Sequence, residues 1–480
     1  MITGDDMNEL KKKMNMLLIV VDQLAWKKLN AYGGKSNTPN IDRIAENGVA
    51  LDACYCPYPL CQPSRAAFWT GMDSHRNQVW SNGRNWQITE IDDTFPCLGE
   101  TFRNAGYKTM HFGKRHDGGA LRGFECSEEL LKEIPDENPA FPFNFDTYAD
   151  AYTVDRATEF LDSYDFEKPL FMVLDIINPH NICGYIGANK GVHENKEGTG
   201  DVETLPELPE NFYCEDLKNR PLPVQYLCCS HVRQSQTVGW TEENFRGYLA
   251  AYDYYLSIAD RHIGEVIESL RKTGELKNTM IVFWSDHGDN MTSRQSVTKQ
   301  VTMYEEVTRV PLIFSGKGVE PRKETVKGLC SLLDIYPTLC SIAGIEAPEG
   351  LDGKDISSVI TGGKLPERKY VTSEWFTEWG YTISPGRMIR TERYKYIHYL
   401  EGNGEELYDL EKDPHEMKNV AKDPEYVNIL TEARDIMNNR IKESDDPYYS
   451  LEVKADRRWR SHEIGYQNHR GITAPEYQED

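Results

Sequence analysis

Four short apolar runs, separated by stretches of helical periodicity, are the feature that most constrains the fold of this chain. They cover residues 16–21 (MLLIVV), 170–176 (LFMVLDI), 280–286 (MIVFWSD) and 310–314 (VPLIF). Each run has the length of a buried strand, whereas residues 246–272 repeat apolar side chains at the spacing of an amphipathic helix. Strands that alternate with helices in this way predict an α/β domain with a largely parallel sheet.

Two of the predicted strands end in polar residues. Asp22 and Gln23 follow the first run, while Asp286 and His287 come at the end of the third. Open α/β sheets bind ligands at the carboxyl ends of their strands. We therefore expect these four side chains to meet in one crevice, although they lie far apart in the chain.

The pattern changes from about residue 370. Two short runs, MIRTERYKYIHYL (388–400) and EELYDLEKDP (405–414), are typical of antiparallel strands joined by turns, and a helix is predicted over residues 423–442. We therefore divide the chain into a catalytic α/β domain, residues 1–369, and a smaller α+β subdomain, residues 370–480. The last thirty residues are polar, and we expect them to wrap over the larger domain.

The motif with the most chemical information is CQPSRAAFWTG, residues 61–71. It resembles the C-x-P-S-R-x-x-x-x-T-G signature of type I sulfatases, in which a maturation enzyme oxidises the cysteine, here Cys61, to formylglycine. The likeness also covers TPNIDR (38–43) and ELYDL (406–410). It implies an α/β fold of the alkaline-phosphatase type, in which a central, largely parallel sheet forms a sandwich with helices, beside a small antiparallel C-terminal α+β subdomain.

Formylglycine explains why this position matters chemically. Its aldehyde hydrate carries two hydroxyl groups, so that one can attack sulfur and the other can then expel sulfate and restore the aldehyde. The resemblance gives Arg65 the task of holding the hydrate near the start of the motif helix, where an anion is favoured. His75 and Arg76, near the end of the same segment, are candidates for lining the entrance of the site.

The resemblance also implies one divalent cation. The residues that correspond to the family's ligands are Asp22, Gln23, Asp286 and His287, with residue 61 completing the shell. Oxygen-rich ligation suits Ca²⁺, with Mg²⁺ as the alternative. This chain has Gln23 where an aspartate is commoner, which removes one negative charge from the expected metal site.

Four further side chains are expected around the sulfate group. Lys114 and His116 belong to GKRH (113–116), which resembles the family's G-K-x-H segment; Lys114 would contact sulfate and His116 would accept the hydrate proton. His180, in NPH (178–180), is the predicted general acid for the leaving alcohol. Lys299 precedes MYEEVTRVP (303–311), which resembles the family's K…YE…RVPL stretch, and would bind sulfate.

These residues predict a sulfatase that hydrolyses O-sulfate esters of carbohydrates. General likeness favours an exo-acting glycosaminoglycan enzyme, acting on the 2-O-sulfate of a uronic acid in heparan or chondroitin fragments. One alternative is a phosphonate, phosphate monoester or choline-sulfate hydrolase of the same superfamily. The other is a non-catalytic protein that binds sulfated glycans. The expected partners are the sulfated oligosaccharide and the formylglycine-generating maturation enzyme.

Composition bears on the remaining function classes. A net charge of −23 and a pI near 5.0 disfavour binding to nucleic acid through a broad basic face. The sequence has no apolar run of the roughly 20 residues that a membrane span requires. Residues 14–21 follow three lysines but lead into Asp22 without a small-residue cleavage site, so we expect a cytoplasmic protein, with the periplasm as the alternative. The odd count of 11 Cys predicts mostly reduced thiols.

Overall fold

The structure is a computed structural model. It describes residues 13–82, 90–126, 145–188, 205–214, 220–221, 223–224, 237, 239–299, 302–376, 384–400, 402 and 404–451. Most of the predicted polar C-terminal segment, residues 452–480, lies outside these ranges. None of the described helices is long and apolar enough to cross a membrane.

The strands are numbered in chain order. They are β1 Asn15–Val21, β2 Gly48–Tyr55, β3 Lys108–Gly113, β4 Glu125–Cys126, β5 Leu170–Ile176, β6 Thr279–Ser285, β7 Arg309–Val310, β8 Leu312–Gly316, β9 Val326–Ser331, β10 Val371–Trp375, β11 Gly386–Arg390, β12 Tyr394–Tyr399 and β13 Gly404–Asp409.

The helices are referred to by their bounds. They are Pro39–Glu46, Cys61–Thr70, Ser74–Asn77, Leu98–Asn104, Phe145–Ser163, Ile182–Ala188, Glu242–Lys272, Glu305–Thr308, Ile335–Ala343, Ser357–Ile360 and Val427–Glu443. The predicted helix over residues 246–272 is thus confirmed, and the structure begins it four residues earlier with a capping box at Thr241.

The large sheet has nine strands, in the order β4-β3-β5-β1-β6-β8-β2-β7, and β9 pairs with β2. The neighbours from β4 to β6 are all parallel, whereas β8 runs antiparallel to both β6 and β2. The sheet is therefore mixed, and its parallel half holds three of the four predicted strands. The fourth predicted run overlaps β8, which pairs antiparallel with β6 and β2.

Helices cover both faces of this sheet, which explains why its central strands read as continuous apolar runs. In β1, Leu17, Ile19 and Val21 pack into one hydrophobic core, and the alternating Leu18 and Val20 pack into another on the opposite face. The α/β/α sandwich of the alkaline-phosphatase type is confirmed, as is its largely parallel central sheet.

The C-terminal subdomain is a separate antiparallel sheet in the order β10-β11-β12-β13. The helix Val427–Glu443 packs against it through side chains that include Leu430 and Met437. This arrangement confirms the predicted antiparallel strands and the helix that follows them.

A buried ionic network joins the subdomain to the large domain. The Lys395 ammonium of β12 is fully buried and lies 2.9 Å from Glu305 Oε1 and 2.9 Å from Glu416 Oε1. Glu305 starts the helix of the MYEEVTRVP stretch, so this stretch forms part of the domain junction in addition to following Lys299 in the chain.

His75 is part of a second junction and does not line an entrance. Its ring is buried, and Nδ1 lies 2.5 Å from Glu374 Oε1 in β10. Its Nε2 lies 3.2 Å from the carbonyl oxygen of Ser444. The predicted position is therefore wrong, because a partner some 300 residues away in the chain draws this side chain into the domain contact.

Candidate active site

Residue 61 is the first residue of a buried ten-residue helix at the carboxyl edge of the sheet. The helix is tied to the turn after β6 because the Ser64 hydroxyl donates a 2.6 Å hydrogen bond to the carbonyl oxygen of Asp286. The backbone N–H of Gln62 donates to Asn82 Oδ1 at 3.1 Å. These contacts fix the start of the helix, and with it Cys61, beside the ends of β1 and β6.

The Cys61 thiol lies close to the predicted metal ligands and to the residues expected around the sulfate. Its Sγ lies 3.2 Å from His287 Nε2 and 3.8 Å from Asp22 Oδ1. Burial would raise the pKa of this thiol, but the charges of Lys114, Lys299 and His287, together with His116, bring the pKa well below its usual value. The site therefore stabilises a negative charge at the side chain of residue 61.

Four of the five predicted metal ligands come together. Ligand atoms of Asp22, Cys61, Asp286 and His287 all lie within 4.8 Å of one another, and all four residues are buried. The His287 Nδ1 faces the carbonyl oxygen of Gly288 at 2.9 Å, which leaves Nε2 directed at the cluster. Two carboxylates and one imidazole around residue 61 suit a divalent cation.

Gln23 lies next to this cluster with its side chain engaged elsewhere. Its Nε2 donates a 2.7 Å hydrogen bond to Asp289 Oδ2, and its Oε1 accepts a 2.6 Å hydrogen bond from Lys299 Nζ. Its backbone adopts a left-handed conformation (φ 65°), and its N–H donates to Asp286 Oδ1 at 3.0 Å. The backbone of Gln23 thus orients an acid of the cluster, while its carboxamide connects Asp289 to Lys299.

Both predicted lysines lie close to residue 61. Lys114, one residue beyond β3, contacts Asp22 Oδ2. Burial alone would lower the pKa of Lys114, but Asp22 and Cys61 raise it above its usual value. Lys299 is 5% exposed, and the negative groups around it likewise raise its pKa despite burial. Both ammonium groups are therefore charged.

The two histidines also border Cys61. His116 helps to lower the pKa of the Cys61 thiol, and its Nε2 lies 3.4 Å from the carbonyl oxygen of Asn82. His180 follows β5, and burial together with the charge of Lys299 lowers its pKa. A lowered pKa favours the neutral imidazole near neutral pH, so the role of His180 as general acid stays a prediction.

Arg65 has a different environment from the one that the resemblance implied. It is fully buried, with Nε 2.8 Å from Asp286 Oδ2 and Nη1 2.5 Å from Asp175 Oδ2. Its Nη2 lies 3.8 Å from Asp22 Oδ2. Burial would lower the pKa of Arg65, but these acids raise it well above the usual value. The guanidinium therefore forms ion pairs with three buried carboxylates. Its predicted contact with the hydrate stays a prediction.

Two buried acids of the site were not predicted from the sequence. Asp175 lies inside the run LFMVLDI, where a lone carboxylate in a buried strand is itself a signal. Asp289 follows the predicted pair Asp286 and His287 and accepts hydrogen bonds from Gln23 and from the Tyr248 hydroxyl, the latter at 2.8 Å. Burial raises the pKa of Asp289.

The chain matches known proteins over nearly its whole length. The pattern of the family described as "Sulfatase" matches residues 14–345, and that of "N-sulphoglucosamine sulphohydrolase, C-terminal" matches residues 297–443. A Delta 4,5-hexuronate-2-O-sulfatase of Bacteroides thetaiotaomicron is 44% identical over 98% of this chain and 97% of its own length.

Solved structures agree with this fold. The structure of a 2-O GAG sulfatase superposes with a TM-score of 0.89 at 44% identity, covering 96% of this chain and 99% of the other. The phosphonate monoester hydrolase of Agrobacterium radiobacter superposes with a TM-score of 0.73 at 22% identity, covering 91% of this chain and 97% of the other. The second likeness concerns the fold alone.

Proposed function

We propose that this chain, which belongs to the sulfatase family and is a sulfuric ester hydrolase, removes the 2-O-sulfate from a uronic acid at the end of a glycosaminoglycan fragment. The observation that carries the substrate class is the 44% identity, over almost the full length of both chains, to a hexuronate-2-O-sulfatase. A Δ4,5-unsaturated uronate, as lyases leave it, is the preferred substrate.

The reaction is supported by the environment of residue 61. We propose that a maturation enzyme converts Cys61 to formylglycine, whose hydrate supplies a hydroxyl nucleophile and a built-in means of releasing sulfate. The charges that favour a thiolate at this position would equally favour an ionised hydroxyl. Lys114 and Lys299 would bind the sulfate oxygens, since both carry buried positive charges next to residue 61.

The two histidines then divide the proton transfers. His116, which helps to lower the pKa of the Cys61 thiol, would accept the proton whose loss triggers sulfate release. His180 would protonate the departing sugar oxygen, because a sugar alkoxide is a poor leaving group. Arg65 acts as a positioning residue in this scheme, since it holds Asp22 and Asp286 in place.

The donor set fits a divalent cation, as the family generally requires. Asp22, Asp286 and His287 would hold it, together with residue 61 and, after a turn of its carboxamide, Gln23. We propose Ca²⁺, with Mg²⁺ as the alternative, because the donors are mostly oxygen. When bound, the ion would polarise a sulfate oxygen and favour ionisation of the nucleophile.

The substrate class is tested with unsaturated disaccharides that carry one sulfate each, at the 2-O, 6-O or N position. Release of inorganic sulfate is followed for the matured enzyme and for Cys61→Ala as the inactive control. We expect turnover of the 2-O-sulfated compounds only. Preferential loss of the 6-O- or N-sulfate would refute the proposed position while leaving the enzyme a sulfatase.

The same assay addresses the superfamily alternative. A nitrophenyl phosphonate is offered to the enzyme beside nitrophenyl sulfate and the 2-O-sulfated disaccharide. A phosphonate or phosphate ester hydrolase would turn over the phosphonate faster than either sulfate. We expect the reverse, because the likeness to the phosphonate hydrolase extends to the fold but rests on only 22% identity.

A further inference from the structure

Hydrogen bonds join the two ends of the loop that runs from the acids of the site to Lys299. Asn290 donates two hydrogen bonds to the carbonyl oxygen of Thr298, from its backbone N–H at 2.7 Å and from Nδ2 at 3.0 Å. The Thr298 N–H donates to the Tyr248 hydroxyl at 3.0 Å, and that hydroxyl donates to Asp289. Loop 290–299 therefore begins beside one residue of the site and ends at Lys299.

The backbone of this loop is strained. Within eight positions, five residues other than glycine have positive φ angles: Met291 (49°), Thr292 (65°), Arg294 (56°), Gln295 (54°) and Thr298 (57°). Side chains with a Cβ disfavour this conformation, so the loop persists only if other contacts hold it.

Arg294 supplies the strongest of these contacts. Its guanidinium stacks on the Tyr304 ring at 3.8 Å from the ring centroid, and Nη1 lies 3.3 Å from Glu306 Oε2. Its Nη2 donates a 2.8 Å hydrogen bond to the carbonyl oxygen of His415 and lies 3.9 Å from Glu416 Oε2. His415 and Glu416 belong to the C-terminal subdomain, so one side chain fastens the loop across the domain junction.

We propose that Arg294 is a positioning residue, which anchors loop 290–299 to the C-terminal subdomain so that the Lys299 ammonium is held over residue 61. The inference rests on the proposed role of Lys299 in binding sulfate. Arg294 itself is buried behind the loop and is not expected to touch substrate. The C-terminal subdomain thereby contributes to sulfate affinity without adding a residue to the site.

The test measures the dissociation constant of inorganic sulfate by calorimetric titration, which needs no knowledge of the sugar. Arg294→Met keeps the length of the side chain and removes its charge. We expect sulfate to bind about tenfold more weakly, as when one charge-assisted hydrogen bond is misaligned. Arg294→Lys keeps the charge but loses the ring stacking and the planar fork. We expect this variant to disturb folding less than Arg294→Met and to lose less sulfate affinity.

Arg387 offers a matched control. It is also a buried arginine that stacks on a tyrosine, Tyr448 at 4.6 Å, and pairs with a carboxylate, Asp446 at 2.7 Å, but it lies within the C-terminal subdomain. Arg387→Met should reduce stability by a similar amount and leave the sulfate affinity unchanged. Equal losses of sulfate affinity in the two variants would refute a specific role for Arg294.

A double-mutant cycle shows whether Arg294 acts through Lys299. In a Lys299→Ala background, Arg294→Met should cause no further loss of sulfate affinity. Additive losses, or an unchanged affinity in the Arg294 variants alone, would overturn the inference and leave Lys299 in its proposed role. If Lys299→Ala itself binds sulfate normally, both the role of Lys299 and the inference fail.

Discussion

Replacing His75 should remove a defined part of the pH dependence of stability. The ring is buried between the two domains, where Nδ1 and the backbone N–H both contact the Glu374 carboxylate, at 2.5 Å and 2.9 Å. Asp73 and Asp446 add negative charge, while Arg440 contacts Asp73. Burial alone would lower the pKa of His75, but these acids raise it from 6.5 to about 9.

The sign and size of the effect follow from this pKa. A histidine whose pKa is higher in the folded than in the unfolded protein stabilises the fold fully below its unfolded pKa. The contribution is lost as the pH rises through the folded pKa. For a shift from 6.5 to about 9, roughly 2 kcal/mol of the free energy of unfolding should disappear between about pH 7 and about pH 9.5. Burial and the charge of Glu374 raise the pKa of Asp73 to about 7, so the pH dependence of stability that Asp73 contributes lies mainly below this range.

The measurement compares urea unfolding of the wild type and His75→Gln across this pH range. Glutamine keeps a hydrogen-bonding side chain and does not titrate. The difference in the free energy of unfolding between the wild type and His75→Gln should therefore shrink by about 2 kcal/mol toward the alkaline end. His262→Gln is the matched control, since His262 also contacts a carboxylate, Glu265 at 3.2 Å, but burial lowers its pKa. If the free energy of unfolding of His75→Gln falls with pH as steeply as that of the wild type, His75 is not the group responsible.

Further predictions concern the site itself. If Cys61 is matured, its peptide should be lighter by about 18 Da, and Cys61→Ala should abolish turnover and keep the fold; an active variant would contradict the nucleophile. Asp286→Ala should lower activity at least about a hundredfold, and chelation should inactivate the wild type until Ca²⁺ or Mg²⁺ is restored. Gln23→Asp should tighten metal binding in a calorimetric titration, and an unchanged affinity would place Gln23 outside the metal site. His180→Ala should slow a sulfated sugar far more than nitrophenyl sulfate, whereas Lys299→Ala should slow both; equal losses for His180→Ala would argue against its role as general acid.

The strands that position the site differ in how visible they are in the sequence. β1, β5 and β6 are buried on both faces, so each is a continuous apolar run that can be found by inspection. β3, with the sequence KTMHFG, interleaves polar and apolar residues and was not predicted as a strand. Lys114, just beyond its end, was found only because the GKRH segment resembles the family.

Long-range partners could not be predicted for a physical reason. Hydrophobic periodicity reports which face of an element is buried, but it does not say what lies opposite that face. His75 reads as a polar residue near a helix end until Glu374 is seen beside it. The positive φ angles around Arg294 likewise carry no sequence signal, because no glycine or asparagine marks these positions.

The charge distribution in the site suggests a role for Gln23 that does not depend on its proposed metal binding. In a chain with a net charge of −23, an anionic substrate needs a local excess of positive charge. Lys114 contacts the carboxylate of Asp22, so part of its charge is already balanced. The hydrogen-bond partner that the structure gives Lys299 is the neutral carboxamide of Gln23. An aspartate at position 23 would form an ion pair with Lys299, whereas glutamine orients the ammonium and, in the proposed function, would leave its charge for the sulfate.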